Sequence, residues 1–162
     1  MQVRRLETVT VEDHPNLIWV QIHTDDGLIG LGETFFGVGA VAAHIHEFIA
    51  PYLIGQDARD IERHSHRMIG YTGRGGSGAE MRAASAIDVA LWDICGQATG
   101  QPIHKALGGT SRERVAVYNT CAGYEYVRRA AAQTTANFAL DTQVGPYEDL
   151  RGFLERPEEV AQ

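Results

Sequence analysis

The chain has 162 residues, 44% of them hydrophobic, and a net charge of −7, which suits one domain or one domain with the start of another. The negative charge argues against a nucleic-acid partner, and no apolar run approaches the ~20 residues that a membrane span needs. The N-terminus carries no apolar signal core and Cys95 and Cys121 form no disulfide framework, so we expect a cytoplasmic protein without a membrane partner.

Strands open the chain. Alternating apolar residues predict three of them, over residues 3–11, 17–23 and 28–33. Val3, Val9 and Val11 share one parity and are expected on one face of the first strand. Asp13–Asn16 separates the first two strands, and Asp25–Gly27 predicts a hairpin turn because glycine accepts the positive φ that such turns need. Short connections between consecutive strands predict an antiparallel meander.

Helices follow the strands. Apolar residues at helical spacing predict the first helix, at Val41, Ile45, Phe48 and Ile49. Pro51 is expected to end it. Asp57 is predicted to N-cap a second helix, which carries Ile61 and Met68 and ends at Gly70. Strands and helices in separate blocks are typical of the α+β class.

A long helix comes next. Residues 77–80, Ser-Gly-Ala-Glu, have the form of a capping box and predict its start. Gly100 and Pro102 predict its end. Its apolar stripe is expected at Ala84, Ile87, Leu91, Ile94, Cys95 and Ala98. A short helical turn is predicted within residues 103–107.

The C-terminal part has weaker patterns. Residues 115–118 predict a lone short strand, and some helix is expected around residues 126–132 of an otherwise irregular segment. Pro157 suits the first position of a further helix, with Glu158 and Glu159 at its positive end. A helix start this close to Gln162 predicts that the sequence is a piece of a longer protein.

The residue pattern predicts neither a catalytic nor a metal-binding residue in this chain. The pairs His44/His46 and His64/His66 lie two positions apart, which on a helix places their side chains on opposite faces. No cluster of three carboxylates that could hold Mg²⁺ is present in the pattern, and neither is a Gly-x-Ser-x-Gly nucleophile. We therefore expect structural roles for these histidines.

Other polar positions have structural interpretations as well. Asp88 and Asp93 point about 140° apart on a helix, so they form no acid/base pair, and Asp88 is expected to find a buried hydrogen-bond partner. The glycine-rich segment 73–78 lacks the preceding strand of a nucleotide site; its Arg74 could bind a carboxylate. The adjacent aromatics Phe35 and Phe36 are expected to pack on a core or partner, or to cover a ligand.

Two motifs in this order resemble a known family. They are the strand motif at residues 30–34, Gly-Leu-Gly-Glu-Thr, and the helical run at residues 85–93, Ser-Ala-Ile-Asp-Val-Ala-Leu-Trp-Asp. Together with the meander they resemble the N-terminal capping domain of the enolase superfamily, in its mandelate racemase/muconate lactonizing enzyme branch. Residues 78–83, 117–121 and 145–149 make the chain most similar to the acid-sugar dehydratases of that branch.

The resemblance implies a capping domain over residues 1–112 and the first strand of a truncated (β/α)₇β barrel within residues 113–162. It implies a lyase or isomerase whose base takes the proton α to the carboxylate of an acid sugar, with Mg²⁺ to stabilise the enediolate, and a homo-oligomer. The base and metal ligands of the family come from later barrel strands, so this chain is expected to bind no metal and to be inactive alone. Lid and barrel-rim roles are implied for His14, Asn16, Phe35, Phe36, Arg74, Asn119 and Thr120.

A different class of function stays open beside this one. The chain could be a self-contained α+β module that binds a partner protein or acts as a scaffold. Its contact surfaces would then be the loop at Phe35 and Phe36 and the glycine-rich segment 73–78.

Overall fold

The computed structural model describes residues 1–70 and 78–117. Its sheet has three strands, β1 (Val3–Val9), β2 (Leu17–Thr24) and β3 (Ile29–Phe35), antiparallel in the order β1-β2-β3. The helical part comprises α1 (Val38–His44), a π-helical segment (Ile45–Ile49), α2 (Ala50–Leu53), α3 (Ile61–Gly70), α4 (Ala79–Thr99) and α5 (Ile103–Ala106). The predicted α+β class, a meander followed by helices, is confirmed.

The core lies between one face of the sheet and the helices. On the central strand β2, Ile18, Val20 and Ile22 are fully buried, as their alternation predicts. The facing stripe of α4 buries seven residues, at Ala83, Ala84, Ala86, Ile87, Ala90, Leu91 and Ile94. The predicted stripe is therefore confirmed at its centre, whereas Cys95 is half-buried and Ala98 exposed. Gly100 ends α4 in the left-handed conformation, with φ 64°.

The predicted face of β1 is wrong. Val9 and Val11 are each 41% exposed, while Leu6 is buried with Val3. The register shifts between Val3 and Arg5, where β1 carries an extra residue opposite β2. A bulge of this kind moves every later side chain to the opposite face. The strand also ends at Val9, before the predicted boundary.

The prediction that Pro51 ends the first helix is also wrong. The π-helical turn at Ile45–Ile49 lets the chain start a new helical segment at Ala50, in whose first turn Pro51 lies. A proline is tolerated there because its missing N–H is not needed for a helical hydrogen bond. The wider turn also displaces Phe48 from the predicted stripe: it is 67% exposed, and its ring stacks on His44 at 5.1 Å.

The predicted caps of α3 and α4 need correction. Asp57 does not cap α3, which begins at Ile61; its carboxylate instead accepts hydrogen bonds from the backbone and side chain of Arg59. The carbonyl of Asp60 accepts the first helical bond, from the His64 amide. Gly78 occupies the N-cap of α4 without a side-chain bond. Ser77, the predicted cap, lies outside the described residues.

A buried histidine links the helices near the start of α3. His64 is fully buried, its Nε2–H donates to the Asp57 carbonyl at 2.8 Å, and its Nδ1 accepts from the Tyr52 hydroxyl at 2.9 Å. The Asp57 carbonyl can only accept, which fixes this tautomer. The predicted structural role is confirmed for this histidine.

Helix α4 lies directly on β3. A Cβ added at Gly30 would collide with the Ala90 carbonyl oxygen, and one added at Gly32 with that of Ala86. No β3 side chain separates helix and strand at these points, so the polar side chains of α4 reach the outer edge of the sheet. Asp93 accepts a hydrogen bond from the Leu31 amide at 2.8 Å, and Gln97 donates to the Ile29 carbonyl at 2.7 Å. These contacts cover an edge that another strand could otherwise pair with.

The described chain ends without a further strand. Residues 113–117 have no regular secondary structure, and Tyr118, the last residue of the predicted strand, lies outside the described residues. The helices predicted around residues 126–132 and at Pro157 lie outside them too. Over residues 1–70 and 78–117, no helix combines the length and apolar character needed to cross a bilayer.

Candidate functional site

The candidate site lies at one end of the sheet. Because the strands are antiparallel, the turn between β1 and β2 and the loop after β3 meet at the same end. The first turn of α4 lies there as well, since Arg82 contacts Phe35. We call residues 13–16, residues 35–37 and this first turn the loop end. The opposite hairpin end comprises residues 1–3, 24–28 and 54–58.

A backbone hydrogen bond joins the two connections of the loop end. The Phe36 amide donates to the Asn16 carbonyl at 2.9 Å. Asn16 is buried, and the turn before it is closed by the Leu17 amide, which donates to the His14 carbonyl at 3.0 Å. Residues from two separate connections thus form one surface.

The two adjacent aromatics have different surroundings. Phe36 is buried and takes a left-handed backbone conformation, with φ 62°, whereas Phe35 is 39% exposed. A bulky residue in this conformation costs about 1 kcal/mol and persists only where neighbouring groups hold it. The ring centroids lie 4.3 Å apart. Phe36 therefore anchors the loop in the core, while the exposed ring of Phe35 is available at the surface.

Arg82 joins α4 to this loop. Its Nη1 donates to the Phe35 carbonyl at 2.8 Å, and its guanidinium lies over the Phe35 ring at 4.8 Å and the Phe36 ring at 5.6 Å. Sequence reasoning missed this residue as part of the site. The available signal was its position on the helical stripe of Ala86, Ala90 and Asp93, the stripe that faces β3.

The structure brings together four of the predicted site residues: His14, Asn16, Phe35 and Phe36. His14 is half-buried, and within the described part of the chain its Nδ1 is buried without a hydrogen-bond partner. Arg74, Asn119 and Thr120 lie outside the described residues, so their predicted roles stay predictions.

Of the three carboxylates of α4, Glu80 lies in the first turn, at the loop end, whereas Asp88 and Asp93 lie outside it. Asp93 accepts hydrogen bonds from the edge of β3 and from Gln97. Burial, followed by the negative charge of Glu62, raises the pKa of Asp88. The hydrogen-bond partner expected for Asp88 is not found among residues 1–70 and 78–117. Within the same ranges, no group of three histidine, cysteine, aspartate or glutamate side chains could hold a metal ion.

Known proteins resemble the chain over the same region. Residues 4–108 match the family described as mandelate racemase / muconate lactonizing enzyme, N-terminal domain. A D-mannonate dehydratase of Sphingomonas sp. is 36% identical over 140 residues, which cover 84% of this chain and 33% of the relative. The chain spans about a third of the length of the curated relatives it matches.

Solved structures share the fold. An enolase protein from environmental sequencing of the Sargasso Sea is 52% identical with a TM-score of 0.73, covering 77% of this chain and 34% of that one. An enolase from Pantoea ananatis, solved with bound D-gluconate and Mg, is 36% identical with a TM-score of 0.59, covering 68% of this chain and 28% of that one.

Proposed function

Because the chain belongs to the mandelate racemase/muconate lactonizing enzyme family, we propose that it is the capping domain of an acid-sugar dehydratase. The whole protein would remove water from a sugar acid, and this chain would cover the substrate. Dehydratase relatives such as the D-mannonate dehydratase of Sphingomonas sp. support the reaction class. The D-gluconate bound by the Pantoea ananatis neighbour supports the substrate class.

The observation that carries the proposal is the construction of the loop end. Two connections and the start of α4 converge there, and one backbone bond and one arginine join them. Loops that close over a substrate exclude water and hold it in place. The half-exposed ring of Phe35 supplies an apolar cover, and Arg82 ties the loop that carries this ring to α4. Family membership favours this role over a stand-alone interaction module.

Individual roles follow from position. We assign His14, Asn16, Phe35 and Phe36 to the lid, with Phe36 as its anchor in the core. Lid and rim roles for Arg74, Asn119 and Thr120 stay predictions, as do the domain boundary after residue 112 and a homo-oligomeric assembly.

Mg²⁺ is part of the proposal for the whole protein only. The described residues do not fit a magnesium site, because no three acidic or histidine side chains come together among them. Any Mg²⁺ would have to be held by residues elsewhere. This chain would cover the substrate, hold it in place and exclude water from the site.

The test is an activity assay on the full-length protein that contains this chain. With Mg²⁺ present, D-gluconate, D-mannonate and D-galactonate are offered separately, and loss of one water from the sugar acid is followed by mass spectrometry. We expect turnover of at least one of them, and an increase in KM for Phe35→Ala. The matched control is Ile54→Ala, which removes an exposed apolar residue from the hairpin end and should leave KM unchanged. No turnover of any sugar acid, or equal effects of the two variants, would contradict the proposal.

A further inference from the structure

Arg82 contacts the loop after β3 in three ways, through one hydrogen bond and two aromatic rings. One N–H bonds the Phe35 carbonyl at 2.8 Å, and the guanidinium lies over both phenylalanine rings. Over residues 1–70 and 78–117, no ion pair of this guanidinium with a carboxylate is found. Its described interactions are therefore directed at the loop.

The position of these contacts matters because of the peptide that they fix. The Phe35 carbonyl belongs to the peptide that leads into Phe36, whose φ of 62° is unfavourable for a bulky residue. The amide of Phe36 on that same peptide donates to the Asn16 carbonyl. Arg82 and Asn16 hold the two sides of one peptide group. Removing either contact lets the loop relax toward an ordinary conformation.

We propose that Arg82 is a positioning residue, which holds residues 35–37 in place and thereby sets where the Phe35 ring meets the substrate. The consequence for substrate rests on the proposed function; the positioning itself does not. A lysine cannot replace it fully, because only the planar guanidinium bonds the carbonyl while it stacks on the rings.

Hydrogen exchange on the 162-residue chain tests the positioning. The reporter is the Phe36 amide, and the reference is the Gly55 amide, which donates to the Val3 carbonyl at the hairpin end. Arg82→Ala should accelerate exchange at Phe36 on the order of tenfold and leave Gly55 unchanged, because one hydrogen bond and two stacking contacts are lost. Arg82→Lys should accelerate Phe36 by a smaller factor, about threefold.

The matched control is Arg67→Ala. It also removes a guanidinium stacked on an aromatic ring, that of Tyr52 at 5.5 Å, and should leave Phe36 exchange as in the wild type. If Arg82→Ala opens the whole chain and accelerates Gly55 equally, the lysine variant decides, with acceleration confined to Phe36 expected. Phe36 exchange at the wild-type rate in both variants overturns the proposal.

A kinetic readout separates this inference from the proposed function. In the full-length protein with D-gluconate, Arg82→Ala should raise KM about tenfold with a smaller change in kcat, and Arg82→Lys should restore part of the loss. A wild-type protein that turns over no sugar acid would contradict the proposed function. Faster exchange at the Phe36 amide in Arg82→Ala would still support the positioning role in that case. A protein that turns over D-gluconate with unchanged KM in Arg82→Ala defeats the role in substrate binding.

Discussion

At the hairpin end of the sheet, backbone groups from three segments bond one another, whereas at the loop end a side chain of α4 holds the loop after β3. The Gly55 amide donates to Val3, the Ala58 amide to Met1 and the Asp25 amide to Gln2. At the loop end, the backbone bond from Phe36 to Asn16 connects the two loops, and the Arg82 side chain ties the second of them to α4.

This difference indicates that the two ends of the sheet have different roles, one in stability and the other in function. Backbone bonds between segments resist local opening, while a few side-chain contacts allow a segment to open at low cost. A surface that must admit and release a ligand is drawn from the second kind. We therefore assign the hairpin end to the scaffold and the loop end to the working surface. Substitutions at three places in the fold and a change of pH test this division, and the strongest expected effect comes first.

Gly32→Ala should damage both ends at once, because β3 and α4 form the common support. The added methyl group would collide with the Ala86 carbonyl, which belongs to helix backbone and cannot move aside. We expect a loss of roughly 3 kcal/mol in the free energy of unfolding, measured by urea denaturation. Gly39→Ala is the control, since nothing lies within 4 Å of its added methyl group and its φ is not positive; it should be neutral or slightly stabilising.

His64→Ala should weaken the hairpin side alone. It removes a fully buried ring with two hydrogen bonds and leaves the Asp57 carbonyl without that donor. The expected loss is roughly 2 kcal/mol in the free energy of unfolding. Tyr52→Phe removes only one of the two bonds and should cost about 1 kcal/mol. Equal losses in the two variants would show that neither the packing of the His64 ring nor its hydrogen bond to Asp57 stabilises the hairpin end.

Phe35→Ala should lower global stability by only about 1 kcal/mol, since the residue is 39% exposed and loses one ring contact and one stacked guanidinium. Chymotrypsin cleavage after Phe36, the aromatic site that this variant keeps, should nevertheless become faster, because the ring under Arg82 is gone. The measurement pairs urea denaturation with limited proteolysis of the same sample. A stability loss as large as that of His64→Ala would place this residue in the scaffold rather than on the working surface.

Acid should loosen the hairpin end before the loop end. The hydrogen bonds from the Arg59 side chain hold the pKa of Asp57 well below its usual 3.8, and the Gln2 amide lowers the pKa of Asp25. A carboxyl with a lowered folded pKa stabilises the fold above its unfolded value and loses that contribution as the pH falls below about 3.8. Asp57→Asn should therefore flatten the decline of stability on acidification. If stability declines with falling pH in this variant as it does in the wild type, the Asp57 carboxylate does not contribute to the acid sensitivity.

Much of this division was accessible from sequence. The alternation of Ile18, Val20 and Ile22 and the stripe of Ile87, Leu91 and Ile94 predict which faces are buried, because period and burial are directly coupled. The motif at residues 30–34 and the run at residues 85–93 predict the family that residues 4–108 match. A meander also brings the β1–β2 turn and the loop after β3 to one end, because alternate connections of antiparallel strands share an end.

The remaining features depend on backbone geometry that no local pattern encodes. The bulge near Arg5 and the π-helical turn each insert one residue and rotate the side chains after it, which moved Val9 and Phe48 out of the predicted core. The sequence predicts a helix cap at Asp57, but its carboxylate accepts from the Arg59 amide two residues on, an alternative equally open to an aspartate. Arg82 was missed because its partner is a carbonyl 47 residues away.

The most direct test of the division is hydrogen exchange on the full-length protein with and without a saturating sugar acid that it turns over. Ligand binding should slow exchange at residues 13–16 and 35–37, while exchange at residues 24–28 stays the same. Equal protection at both ends, or none at the loop end, would contradict the assignment of these loops to a lid.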